Sequence, residues 1–360
     1  MTSRERLEAA LRGESTDCVP FSPFPAYVWE YFPQDVQDAG HLAFHHRIGS
    51  DPLWRGAPCP VAAVPPPEVE TKTVDRPDRV LTEIVTPVGR LTQTHMKSEA
   101  GNTSFLVEHP LKTEEDYKIQ TWIEEHTELR RDPEPVAAHF AGDGREGLSL
   151  GMLVPRMKSA YQTLVEHLAG TEELIYAQMD FPETVRTLWE TMVARDLDAV
   201  RLATESEYDY FITWEDSSTQ NYSPAQYDEF IGSEIGQWCE ILGASGKSYV
   251  QRACGHVAAL VERMRDHGAL AIESISPPPT GNIEIRDARK AAGPDFGIIG
   301  GIEPTIFLNL SEAQLADHVE SIIDDARGGP FILANSDSCP PGVTVEKFQL
   351  VADIARQTPG

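Results

Sequence analysis

The sequence predicts an α/β fold: a single (β/α)8 barrel domain spanning residues 1–360, with an N-terminal helical and loop extension and an antiparallel hairpin insertion. Three observations carry that expectation. A length of 360 residues is ordinary for one such barrel, which runs from roughly 200 to more than 400 residues. From about residue 148 short apolar runs (LSLGMLV, YDYFITW, SYVQRA, LAIESI, FGIIGG, FILAN) alternate with segments of helical period, which implies parallel βα units. No repeat of fixed period, low-complexity tract or linker divides the chain.

The elements follow in order. Thr2 and Glu5 form the pattern of a capping box, Leu7, Ala10 and Leu11 share one helical face, and Gly13 ends the run, so the chain opens with a short helix. The first strand is expected over Val19–Phe24, followed through Pro67 by a long loop with short helices. Residues 79–108 alternate apolar with polar positions and break at Pro87-Val88-Gly89 and at Gly101-Asn102, the pattern of antiparallel hairpins inserted into the barrel. Among the later helices, Ser311 and Gln314 read as a capping box ahead of a face made by Leu315, Val319, Ile322 and Ile323, and Val257, Leu260, Val261 and Met264 make a similar face before Gly268.

Composition narrows the function classes. Hydrophobic residues at 41% and charged residues at 24% are near globular averages and supply a large core. The net charge of -27, from 57 acidic against 30 basic residues, repels nucleic-acid phosphates and anionic lipid surfaces alike. No apolar run approaches the roughly 20 residues of a membrane span, and the N-terminus has an amphipathic rather than a signal-peptide pattern, so a cytoplasmic protein without nucleic-acid or membrane partners is expected. Five scattered cysteines do not make a disulfide framework; Cys18, Cys59 and Cys239 read as small buried hydrophobes.

In a barrel of this type chemistry sits at the C-terminal ends of the strands. Those positions hold Trp214, Glu215 and Asp216 after YDYFIT, Arg252 and Cys254 in QRACGH, Glu273 within LAIES, and Asn335, Asp337 and Cys339 in NSDSC. An acid inside an apolar strand is costly unless paired, and Arg252 on the preceding strand end is the natural partner of Glu273; such a pair serves structure as well as it serves a site. Asn335 and Asp337 either orient a substrate or only hydrogen-bond within their loop.

Five ordered stretches, RERLEAALRGE…DCVPF, WEDSSTQNYSPAQYDEF, ESISPPPTGNIEI, GIIGGIEP and NSDSCPPGVTVEKF, together resemble the uroporphyrinogen decarboxylase superfamily over nearly the whole chain. The resemblance implies the barrel fold and two branches, porphyrinogen decarboxylases and cobalamin-linked methyltransferases. The decarboxylases carry an arginine-rich loop after the first strand; here that place reads PFSPFPAYVWEYFP without Arg, and their essential Asp has no counterpart in PLWRGAPCP after Asp51. The chain is therefore expected to be a methyltransferase moving a methyl group between a small methylated substrate or corrinoid and a thiol or corrinoid acceptor. A decarboxylase of a small carboxylic acid and a non-catalytic ligand-binding barrel are the other readings.

In the methyltransferase branch the resemblance implies a zinc site of His-x-Cys and a distant Cys, zinc lowering the pKa of a bound thiol. Cys254 and Cys339 match the two cysteines, Arg252 stands where the His would be, and Arg stays protonated and cannot ligate. His256 is the candidate replacement, with a helix-start position as its plain alternative. Glu273, Asp216 and Tyr161 are the expected catalytic residues, Tyr161 because it lies six residues after Pro155 at the spacing of a pocket tyrosine in the decarboxylases. Trp214, Glu215, Arg252, Asn335 and Asp337 are expected to bind the small-molecule substrate. No Asp-x-His-x-x-Gly motif is present, so a corrinoid would come free or on a separate corrinoid protein.

Overall fold

The computed structural model describes residues 1–98 and 103–360, which form two compact units. The first comprises Met1–Pro60, Pro133–Leu153 and Thr204–Gly360, and the second Val61–Asp132 and Val154–Ala203.

The first unit is built on a seven-stranded, all-parallel sheet: β1 (Leu53–Ala57), β2 (Leu148–Met152), β3 (Tyr210–Thr213), β4 (Ser248–Arg252), β5 (Ala271–Ile275), β6 (Gly297–Ile302) and β7 (Phe331–Asn335), in that order across the sheet. β2 to β7 fall on the six apolar runs expected from sequence. β1 was expected to be loop, because its five residues carry an arginine and are flanked by Pro52 and Pro58. Conversely the strand expected over Val19–Phe24 is reduced to one bridge, Phe21 to Leu333, with Leu333 N donating to Pro20 O (3.0 Å) and Ser22 N to Leu333 O (2.9 Å). Pro20, Pro23 and Pro25 have no N–H to extend that ladder.

Side chains of one face of the sheet gather into a core cluster. Leu53, Leu148, Leu150, Tyr210, Ile212, Val250, Ala271, Ile299, Ile332 and Ala334 pack together with Leu7, Ala10 and Leu11 of the opening helix Ser3–Leu11. That helix starts where Thr2 and Glu5 cap each other reciprocally, as its sequence requires, and its apolar stripe lies against the strands. Each fully buried Leu, Ile or Val contributes about 1.5–3 kcal/mol. The helix Glu312–Ala326 likewise opens on the Ser311–Gln314 capping box and buries Leu315, Val319, Ile322 and Ile323. Val257, Leu260, Val261 and Met264 are all fully buried, although regular helix covers only Val261–Asp266.

In the second unit the expected hairpins are present as a four-stranded antiparallel sheet, Glu70–Asp75, Arg79–Thr86, Gly89–Lys97 and Ser104–Glu108. Its first strand, ETKTVD, escaped the sequence reading because all six residues are exposed and leave no buried-face pattern. The turn at Pro87-Val88-Gly89 is closed by Thr86 Oγ1 donating to Gly89 O at 2.9 Å. The break expected at Gly101-Asn102 lies outside the described residues. Helices Glu114–His126 and Pro182–Ala203 belong to the same unit, with Arg156 ion-paired to Glu124 (2.9 Å) and Asp196 (2.7 Å). No helix among the described residues is long and apolar enough to cross a membrane.

Candidate functional site

Side chains of a strand alternate between faces. Leu53, Val250 and Ala271 belong to the apolar core, so the residues two further on, Arg55, Arg252 and Glu273, point to the same face one layer nearer the C-terminal edge of the sheet. There the apolar core gives way to charge. Arg55 Nε lies 2.8 Å from Glu273 Oε1 with both side chains almost completely enclosed (1% and 3% exposed), and Arg252 Nε lies 3.6 Å from Glu273 Oε2. Arg252 and Glu273 are direct partners in the parallel register of β4 and β5. The sequence-based pairing of these two residues holds, and Arg55 joins it from the strand that was not foreseen.

The backbone is irregular where this cluster forms. The β1–β2 register shifts between Arg55 and Ala57, and the β5–β6 register shifts between Glu273 and Ile275. Gly56, Asp216 and Ser274 have φ of 72°, 48° and 79°, left-handed values unusual for the latter two. Bulges and left-handed non-glycine residues re-aim side chains and gather at functional positions. Ser274 donates its hydroxyl to Ser336 O, and Ser336 Oγ donates to Ser276 Oγ at 2.8 Å, tying the β5 and β7 ends together.

A partly open ring surrounds the buried charges. The Arg252 guanidinium lies 4.9 Å from the centroid of the Trp214 ring, is ion-paired to Asp216, and lies 3.3 Å from Asp337. Phe24 is 6.0 Å from Trp214 and 5.8 Å from the Arg55 guanidinium carbon, so two cations and two aromatic rings interleave. Cys254 Sγ donates to Asp216 Oδ1 at 3.2 Å and sits 3.9 Å from Arg252 Nη1. Asp337 and Asp216 remain 46% and 30% exposed, which gives this ring an open side.

Burial pushes the Glu273 carboxyl above its ordinary range, against the pull of Arg55 and Arg252. Burial lowers Arg55 in turn, opposed by Glu273. Glu273 Oε2 accepts no hydrogen bond although the residue is 2% exposed. A buried carboxylate oxygen with an open lone pair and a raised pKa is suited to take a proton from a bound molecule.

The other expected residues are placed differently. Asn335 is fully buried and its amide is committed: Phe24 N donates to Oδ1 (2.8 Å), and Nδ2 donates to Phe24 O and to Asp337 O (2.7 Å each). Asn335 therefore positions Phe24 and the Asp337 loop. Glu215 is fully buried and accepts from Thr213 Oγ1 at 3.0 Å. Tyr161 belongs to the second unit, in the helix Ala160–Thr163, and is buried (3% exposed). Sequence reasoning passed over Arg55, Phe24 and Glu303. The last is fully buried within GIIGGIEP, caps the helix Pro304–Asn309 through Oε2, and leaves Oε1 without a hydrogen bond.

The residues expected to hold zinc do not fit the ion. Cys339 is fully buried, and burial, with Asp337 and Glu303 nearby, pushes its thiol above the ordinary range. The guanidinium beside Cys254 repels a cation. The peptide N–H of His256 donates to Ser218 Oγ (3.1 Å) and its carbonyl accepts from Thr219 N (2.9 Å), so its backbone is bound into the loop after β4. Among the described residues no group of three or more His, Cys, Asp or Glu side chains is arranged to hold a metal ion.

Gly56 packs closely against the Trp214 ring. A Cβ there would lie 2.8 Å from Trp214 Cζ2 and 3.2 Å from Met152 Cε, on a residue with φ of 72°. Gly56→Ala is expected to cost about 1–3 kcal/mol and to displace the indole. Urea unfolding gives the cost, and a red shift and loss of near-ultraviolet dichroism report the displaced Trp214; a variant unchanged in both removes this account of Gly56.

The model of the family described as uroporphyrinogen decarboxylase (URO-D) matches residues 170–358. No curated protein matches the chain. Among solved structures the chain is similar to a methyltransferase from Methanosarcina mazei, with 12% identity, 99% of this chain and 98% of that chain covered, and a TM-score of 0.62. At that identity the likeness shows a common fold. D-Psicose 3-epimerase from Clostridium cellulolyticum H10, with 9% identity, 62% of this chain and 79% of that chain covered and a TM-score of 0.31, is too distant to carry an argument.

Proposed function

The chain belongs to the uroporphyrinogen decarboxylase family, and from that premise we propose that it is a methyltransferase acting on a small molecule bound beside Glu273. The observation that carries this reading is Glu273 Oε2, which accepts no hydrogen bond among the described residues and is enclosed between Arg55 and Arg252. The full-length similarity to a protein named as a methyltransferase supports it. So does the lack of arginine over residues 20–33, where a polycarboxylate substrate would need cationic partners. In the same reading the chain is one domain, and the Pro20–Ser22 segment takes the eighth place in a closed barrel, its carbonyls meeting β7 at Leu333 and Asp51 ahead of β1.

The reaction proceeds from this chain's residues as follows. Trp214, Arg252 and Asp337 orient an acceptor bearing an O–H, N–H or S–H. Glu273 Oε2 takes that proton as the acceptor's electron pair forms the new bond to the methyl carbon, and the bond from carbon to the donor breaks with its electron pair leaving on the donor. Arg55 and Arg252 steady the Glu273 carboxylate before the proton arrives, and Asp216 holds Arg252 and Cys254 in place. A corrinoid, free or carried by a separate protein, is the co-substrate on the other side of the transfer. No step uses zinc.

The test is methyl transfer from methylcobalamin to a panel of small thiols and amines, followed by the visible spectrum of the corrinoid. Wild-type protein is expected to turn over, and Glu273→Gln to lower kcat about 10²–10⁴-fold with KM little changed. Release of CO2 from small carboxylic acids without any methyl transfer would replace this reading with the decarboxylase one.

A further inference from the structure

We propose that the cavity of about 420 Å³ bordered by Phe24, Trp54, His41, His45 and His139 is a binding site for an uncharged planar nitrogen heterocycle. It lies in the first unit beside the Glu273 cluster, sharing Phe24 and Arg55 with it, and it stands on observations separate from the methyl-transfer reading. Its size is that of a small-molecule pocket, and its lining mixes apolar surface with few polar groups.

The polar groups select the ligand. His45 is 4% exposed and engages Ser50 Oγ through Nδ1 at 2.7 Å, which leaves Nε2 uncommitted. His139 engages Ser149 Oγ through Nε2 at 2.8 Å, which leaves Nδ1. His41 stacks on Trp29 with centroids 3.7 Å apart and makes no hydrogen bond through its ring. Burial holds His45 down to about 3 and His139 below its ordinary value, so burial favours the neutral form of both rings. A neutral imidazole offers a donor on one nitrogen and an acceptor on the other. Two or three converging on one cavity match the alternating donors and acceptors on the edge of a nitrogen heterocycle.

Charge excludes the competing class. The Arg55 side chain is 1% exposed, with Nε on Glu273 and Nη2 on Ser22 O at 3.0 Å, so its charge is already matched by a carboxylate. Asp143 stands exposed at the rim and repels anions. Flat walls complete the fit: Trp54 is fixed by Nε1 donating to Glu146 O (2.8 Å), and Phe24 is fixed through its backbone by Asn335.

Isothermal titration calorimetry on the whole chain with adenine, indazole and quinoxaline, against benzoate as an anionic ring of similar size, tests this. At least one heterocycle is expected to bind with a stoichiometry near one and at least 10-fold more tightly than benzoate. His139→Phe is expected to weaken it 10-fold or more while the melting temperature stays within a few degrees. If that variant does not fold, the ¹⁵N-histidine spectrum of the wild type serves: ring signals of His41, His45 and His139 should move on titration while His318, on the helix Glu312–Ala326, stays still. No saturable heat with any heterocycle, equal binding of benzoate, an unaltered affinity in folded His139→Phe, or unmoved histidine signals each overturns the proposal.

Discussion

Replacing Glu273 with Ala is expected to cost about 3–5 kcal/mol, the effect of removing one member of a buried ion pair and leaving the other charged and enclosed. Among the described residues, Arg55, 1% exposed, would lose its only carboxylate partner, and Arg252 would retain Asp216 and Asp337. The cost arises from stranding the cation more than from losing attraction. The double variant Arg55→Met, Glu273→Leu is therefore expected to be much closer to wild type than Glu273→Ala alone, since it removes both charges and fills the volume. Urea unfolding of the three proteins measures this. A Glu273→Ala protein within 1 kcal/mol of wild type would mean that water reaches the pair, and the enclosed site described above would be lost with it.

Acid sensitivity is expected to depend on His45. Its folded-state value is held at about 3, against an ordinary 6.5, by burial and by repulsion from Arg55. The unfolded chain thus takes up a proton before the folded chain does. Stability contributed by neutral His45 is fully present above about pH 6.5 and is lost as pH falls from there towards 3, a span worth on the order of 5 kcal/mol. His45→Gln keeps a hydrogen-bonding side chain beside Ser50 but cannot titrate. Unfolding free energies at pH 7, 5.5 and 4.5 should fall more shallowly in the variant than in wild type, and parallel slopes would show that another group governs acid unfolding.

Most of the fold was legible because its signals are local. The six strands after residue 148 are apolar runs of four to six residues, and the opening and Ser311 helices announce themselves by reciprocal caps. What was not legible depends on partners distant in sequence. β1 reads as loop because Pro52 and Pro58 frame it and Arg55 interrupts it, yet it pairs along β2 in the sheet. Val19–Phe24 has strand-like side chains and prolines that prevent most of the ladder. At the site, Glu273 was visible as an acid where an apolar residue belongs. Its second partner was hidden in the misread strand. Asn335 and Glu215 were visible by position, but position at a strand end does not say whether a side chain turns to solvent or to the backbone of its neighbours, and both turned inward.

The clamp of Asn335 on Phe24 holds residue 24 by its peptide N–H and C=O alone. Every amino acid except proline presents those same two groups, so the grip does not depend on which side chain the residue carries. Position 24 is consequently an exchangeable tile: its backbone stays fixed while the surface shown to both Trp214 and the neighbouring cavity can be altered by a single codon. Selection acting on substrate range has a place to work here without unpicking the sheet, whereas a change at Asn335 would loosen the tile whatever its face.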